Sequence, residues 1–241
     1  MRILVVSGLA LLSACAGTAT GTGAAPPITT DAARQLRVAA AAERGGQPDV
    51  ALAIYAAAAE QSPGNPELAA RHASALLALN EPARAREALA EARRRNPNDP
   101  ALMQIEGRAL LELGQPAGAL TLFDSHLARA PNDARSLNGR GVALDMLGRH
   151  ADARAAYAAA RAADPHNSVW VGNLALSLIL AGCPDSAEAL LVGAPRSAAT
   201  AGWLSQMQGL ARSLAPGGAD PGTWELRSAL PVAGDSCPEM I

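Results

Sequence analysis

Four histidines, three cysteines and a basic set made entirely of arginine are the side chains with which this 241-residue chain could do chemistry. His72, His126, His150 and His166 fall in four different contexts. None stands at the i, i+4 spacing that sets two imidazoles on one helix face, so they assemble neither a zinc site nor a catalytic triad. The lack of any lysine removes the phosphate loop that depends on one and all Schiff-base chemistry. G-x-S-x-G and H-E-x-x-H are both absent, and Gly21-Thr22-Gly23 has no strand before it. Glu87 and Glu91 are one helical turn apart and read as a solvated face. The expectation is a chain that is no enzyme, holds no cofactor and no metal, and takes no small-molecule substrate. A formal charge of -2 gives no footprint for nucleic acid either.

The cysteines say more. Arg2, the apolar run from Ile3 to Leu12 and the small residues Ser13 and Ala14 lead directly into Cys15. This resembles a bacterial lipobox, which implies removal of residues 1–14 and acylation of Cys15. Several acyl chains hold a protein firmly on a bilayer. No aspartate follows Cys15, which in lipoproteins of this kind implies export to the outer membrane, with the folded part in the periplasm. An ordinary secretory signal with a chance cysteine is the alternative, and a spanning anchor is disfavoured because the apolar run is about half of the roughly 20 residues a span needs. Residues 15–30, rich in Gly, Thr and Pro, read as a flexible tether. Cys183 and Cys237 then remain in a compartment that favours oxidation, and a disulfide between them would staple the tail, residues 215–241, to the folded part; two free thiols are the alternative.

Between tether and tail the sequence is periodic. Pro63, Pro97, Pro131 and Pro165 are spaced by 34 residues, dividing the chain into units 32–65, 66–99, 100–133, 134–167 and 168–201. With each unit numbered from 1 to 34, the eighth slot holds Ala39, Ala73, Gly107, Gly141 and Ala175, and the twentieth holds Ala51, Ala85, Ala119, Ala153 and Ala187. Small side chains there let two helices cross at short distance. The twenty-fourth slot is bulky throughout: Tyr55, Leu89, Phe123, Tyr157 and Leu191. Gly46, Asn80, Gly114, Gly148 and Gly182 mark the turn inside each unit, while Asn65, Asp99, Asp133 and Asn167 stand where the next helix needs a capping acceptor. Aromatics make up only 2% of the chain, which also favours helices packed through small residues. His126 occupies a slot filled by Ala58, Ala92, Ala160 and Ala194 in the other units, so the third unit must pack more loosely there or turn the imidazole outward.

This pattern is similar to that of the tetratricopeptide repeats. The resemblance implies an all-α fold: a right-handed superhelical array of about five helix pairs over residues 31–214, with residues 202–214 as a capping helix. In that family the first helices line a concave groove for protein partners. Carried over slot by slot, the groove would present Glu67, Arg71, Gln104, Arg108, Asn138, Asp145 and Asn173 beside Leu77, Leu111, Val142, Leu176 and Ile179. Such a mixture suits a peptide with alternating polar and apolar contacts. It lacks the basic clamp that some members close on a carboxy-terminal carboxylate. A groove filled by the chain's own tail or tether is the alternative.

The segment "VGNLALSLILAGCPDSAEALL", residues 171–191, is similar to one typical of the assembly lipoproteins of Tad (Flp) pili. That resemblance implies a pilotin-like helper, anchored in the outer membrane through its lipid and binding a protein partner, the secretin or another pilus subunit. A generic periplasmic scaffold recruiting cell-envelope enzymes is the first rival, and an enzyme with an unrecognised site the second.

Overall fold

The computed structural model describes residues 30–195, 200–215 and 237. The expected cleavage site, Cys15, most of the tether and nearly all of the tail lie outside these residues. Among the described residues there are eleven α-helices and no strand, and none of the helices is long and apolar enough to cross a membrane. The chain divides into two compact units, Met1–His126 and Leu127–Ile241.

In the first unit the pairs are α1 (Thr30–Arg44) with α2 (Pro48–Glu60), α3 (Pro66–Ala78) with α4 (Pro82–Arg95), and α5 (Pro100–Glu112) with α6 (Pro116–Leu127), whose last residue crosses the boundary. The second unit pairs α7 (Ala134–Met146) with α8 (His150–Ala163) and α9 (Ser168–Leu180) with α10 (Pro184–Val192), then adds α11 (Ala201–Leu214). The expected all-α array of helix pairs is thus what the chain forms.

Local chemistry sets each boundary. Asn65, Asp99, Asp133 and Asn167 each accept a hydrogen bond from a backbone N–H in the first turn of the helix they precede, at 2.7 to 3.1 Å. Each first helix ends two residues before a left-handed turn residue, and Gly46, Asn80, Gly114, Gly148 and Gly182 all carry φ between 61° and 77°. Glycine and asparagine are the residues that adopt this conformation at least steric cost, which is why the turn slot holds only these two.

The small and bulky slots meet as knob and hole. A Cβ added to Gly107 would lie 2.6 Å from the Phe123 ring, and one added to Gly141 would lie 2.5 Å from Tyr157. Ala39, Ala73 and Ala175 fill the same slot with no exposed surface. His126 is buried, so of the two possibilities at that slot the imidazole turns inward and the third pair accommodates it.

Alpha11 follows the rules of a first helix. Leu204 and Ala211, in its third and tenth slots, are fully buried, as are Leu102 and Ala109 in α5. Its eighth slot, Gly209, has nothing within 4 Å of the Cβ position, because among the described residues α11 is followed by no second helix of its own repeat.

Candidate functional site

Within each unit the first helices touch one another: α3 packs on α5 in the first, and α7 on α9 and α9 on α11 in the second. Second helices back this layer, since α3 also packs on α4 and α9 also on α8 and α10. The face of the first helices turned away from their second helices is the candidate binding surface.

In the first unit this surface is charged and largely self-paired. Arg71 meets Glu67 at 3.4 Å, both partly exposed, and Arg108 meets Glu112 at 3.6 Å with both side chains largely covered. Burial holds the Arg108 guanidinium below its usual range and pushes the Glu112 carboxyl up, and the attraction between the two opposes both effects. Gln104, one turn before Arg108, is half-buried. Behind Arg71 the Tyr55 hydroxyl donates to Glu43 at 3.1 Å. Burial, then the Glu43 charge, pushes the Tyr55 phenol up to about 12.

In the second unit three of the named residues are drawn inward. Asp145 keeps only 5% of its side chain exposed. Its Oδ1 accepts from Ser177 Oγ at 2.9 Å and lies 2.8 Å from His150 Nδ1, while its Oδ2 accepts from Tyr157 Oη at 3.1 Å. Burial first, and the Asp145 charge second, raise the Tyr157 phenol well above its usual value. Asp145 is therefore a bolt between α7, α8 and α9 and not an open groove carboxylate. The physical reason is the phenol in the twenty-fourth slot, which reaches the twelfth slot of the same repeat. Asn138 and Asn173 are buried as well, the Nδ2 of Asn173 donating to Oδ1 of Asn138 at 2.8 Å. Of the apolar neighbours expected beside them, Val142 and Ile179 are also buried, while Leu176 stays partly accessible.

Ser177, His150 and Asp145 have the composition of a hydrolytic triad without its order. Serine and histidine both address the carboxylate and not each other, so no base stands on the hydroxyl, and Ser177 has no exposed surface. His72 is half-buried on α3, its basicity lowered first by burial and then by Arg84. Among the described residues no group of three or more His, Cys, Asp or Glu side chains could hold a metal ion.

Cys183, in the turn before α10, is bonded to Cys237, with Cα atoms 5.7 Å apart. Absent from the sequence-derived set is Trp203 on α11, whose ring occupies the space over Gly172 of α9; a Cβ on that glycine would overlap it. Its place in the second slot of a sixth repeat was the available signal. A depression of about 370 Å³ between α1 and α2, lined by Val38, Ile54 and Arg34, includes none of the named residues.

Tetratricopeptide-repeat families match residues 42–108 and 146–212 in one case and 105–168 in another. No curated protein matches the chain. Solved structures share the fold. TTC0263, a thermophilic TPR protein from Thermus thermophilus, is 22% identical with a TM-score of 0.67 over 75% of this chain and 98% of its own. PilW, described as a widely conserved type IV pilus biogenesis factor, is 20% identical with a TM-score of 0.63, over 77% of this chain and 92% of its own. MamA from Desulfovibrio magneticus RS-1 is 22% identical with a TM-score of 0.57, over 69% of this chain and 94% of its own.

Proposed function

From the premise that the chain belongs to the tetratricopeptide-repeat family, a scaffold for protein–protein interaction, we propose that it is an acylated assembly factor of a Tad-type pilus. It is held at the periplasmic face of the outer membrane by lipid on Cys15, and it binds a pilus or secretion subunit, the secretin first among them. No chemistry is required of it. The observation that carries the binding role is the layer of first helices in each unit, whose outward face is free of second helices. Support for the pilus comes from the segment 171–191, which forms α9 and α10, and from a fold that a type IV pilus biogenesis factor also uses. Support for the anchor comes from the residues that lead into Cys15.

The test is crosslinking in cells from a photoreactive residue at Gln104 or Leu176, both partly accessible. The expected product is the secretin or another subunit of the same machine, and deletion of the gene should abolish piliation. Capture of peptidoglycan or polysaccharide enzymes instead, with pili intact, favours the general envelope scaffold and removes the pilus reading. Replacing Cys15 by serine should release the protein from washed membranes; retention there would overturn the anchor.

A further inference from the structure

Alpha9 is enclosed by α7, α8, α10 and α11, and the side chains on it that keep solvent access are few. They are Val169, Leu176 and Leu180, all aliphatic and spaced seven and four residues apart, so they share one face. In α7 the same repeat slots hold Arg135 and Met146, both exposed; in α11 the slot of Val169 holds Trp203, half-buried over Gly172. Asp145 contributes no open charge here, because Tyr157, Ser177 and His150 surround its carboxylate. The face is thus apolar along its floor, cationic at its α7 edge and aromatic at its α11 edge. The first unit differs, presenting Glu67, Arg71, Arg108 and Glu112 on its corresponding helices.

We infer that this face of the second unit holds an extended, otherwise uncharged segment of a partner protein, with a carboxylate against Arg135 and a bulky apolar side chain against Trp203. This rests on the scaffold reading and names the chemistry of what the scaffold grips. Charge complementarity selects the carboxylate, since Arg135 is the exposed charge in this register among the described residues. Packed helices lie about 8–10 Å apart, so Arg135 and Trp203, two helix spacings apart, are separated by roughly 16–20 Å. At about 3.3 Å per residue, five or six residues of extended chain span that distance. Arg135, Val169 and Trp203 share slot 2, so between the two ends the segment crosses α9 at Val169, whose aliphatic side chain disfavours a charged one above it by the cost of desolvating it. Indole rings in partly closed positions commonly carry a large share of binding energy.

The probes are two capped heptapeptides, one with aspartate first, phenylalanine last and serine, valine and threonine between, the other with that order reversed. Each has a counterpart with arginine in place of aspartate. Binding to the full mature chain is read by fluorescence anisotropy. One orientation of the aspartate peptide should bind and outcompete its arginine counterpart by about tenfold, the range of a well-placed charge contact. Arg135→Glu should reverse that preference. Trp203→Ser should weaken binding at least about tenfold, and Trp203→Phe should restore most of it, which separates loss of the anchor from loss of α11. Absence of binding by all four peptides, or binding indifferent to Arg135→Glu, overturns the proposal. Self-association abolished by Leu176→Asp makes the occupant a second copy and overturns it too. A pilus subunit captured from Gln104 while the Arg135 and Trp203 variants assemble pili normally leaves the scaffold role standing and removes this site alone.

Discussion

Replacing Tyr157 by phenylalanine removes one oxygen from the interior of the second unit and nothing else. The hydroxyl donates to Asp145 Oδ2 at 3.1 Å, the ring is 2% exposed, and the carboxylate is 5% exposed, so water has no access with which to replace the lost donor. Hydrogen bonds to charged groups contribute about 1.5–3 kcal/mol. Asp145 keeps Ser177 and His150 on its other oxygen, which places the expected loss near the middle, about 2 kcal/mol. For a chain of this size that is a fall in melting temperature of about 4–8 °C. Tyr55→Phe is the internal control. It removes the same bond from the same repeat slot, but its acceptor, Glu43, is partly accessible and regains water, so the loss should be about 0.5–1.5 kcal/mol. Urea melts of the mature chain followed by circular dichroism measure both. A double-mutant cycle of Tyr157→Phe with Asp145→Asn should show coupling of at least about 1 kcal/mol. Additivity within about 0.3 kcal/mol would mean the bond contributes nothing, and the account of Asp145 as an internal bolt would be wrong.

Gly141→Ala drives a methyl group into the Tyr157 ring and should cost about 1–3 kcal/mol, whereas Gly209→Ala meets open space on α11 and should stabilise by up to about 1 kcal/mol through helix propensity. Equal effects of the two in thermal melts would contradict the knob-and-hole account. Both buried phenols have raised pKa values, so the folded state holds protons that the unfolded chain releases near pH 10; their contribution is intact below pH 10 and for Tyr55 is lost as pH rises from 10 to about 12. Melting temperature should therefore be flat with respect to these groups at neutral pH and fall above pH 10, and Tyr55→Phe should shrink that fall. Reducing the Cys183–Cys237 disulfide, which closes a sequence separation of 54, should cost at most about 4 kcal/mol by loop entropy, checked by melts with and without dithiothreitol.

The fold was legible because every repeat states it in several independent ways. Slot 15 accepts only glycine or asparagine, the capping slot holds only Asn or Asp, and the eighth and twentieth slots hold only alanine or glycine through the five pairs. Any one signal is weak, but a 34-residue register makes each confirm the others. What the period could not supply was the direction taken by a polar side chain on a helix edge. Slot alone points Asn138, Asp145 and Asn173 outward, yet Asp145 accepts from Tyr157 and Ser177, and Asn173 donates to Asn138, so neighbouring helices draw all three inward.

For Asp145 the missing information was in the sequence, in a correlation between slots and not in any single one. The two repeats with tyrosine in slot 24 are those with an acid in slot 12, pairing Tyr55 with Glu43 and Tyr157 with Asp145. The other three pair Leu89 with Leu77, Phe123 with Leu111 and Leu191 with Ile179. A phenol buried between two helices needs an acceptor, and an acid beside it is the shortest solution, so the pair exchanges as a unit between a polar and an apolar form. Slot 12 is therefore internal in both forms, since Leu77, Leu111 and Ile179 are buried as the Asp145 side chain is. That leaves the open face to slots 2, 9 and 13, which in the second unit are the slots of Arg135, Val169, Leu176, Leu180 and Trp203. Partner specificity in this unit is thereby shifted away from the polar residues that first draw the eye and onto an aliphatic floor bounded by one cation and one indole.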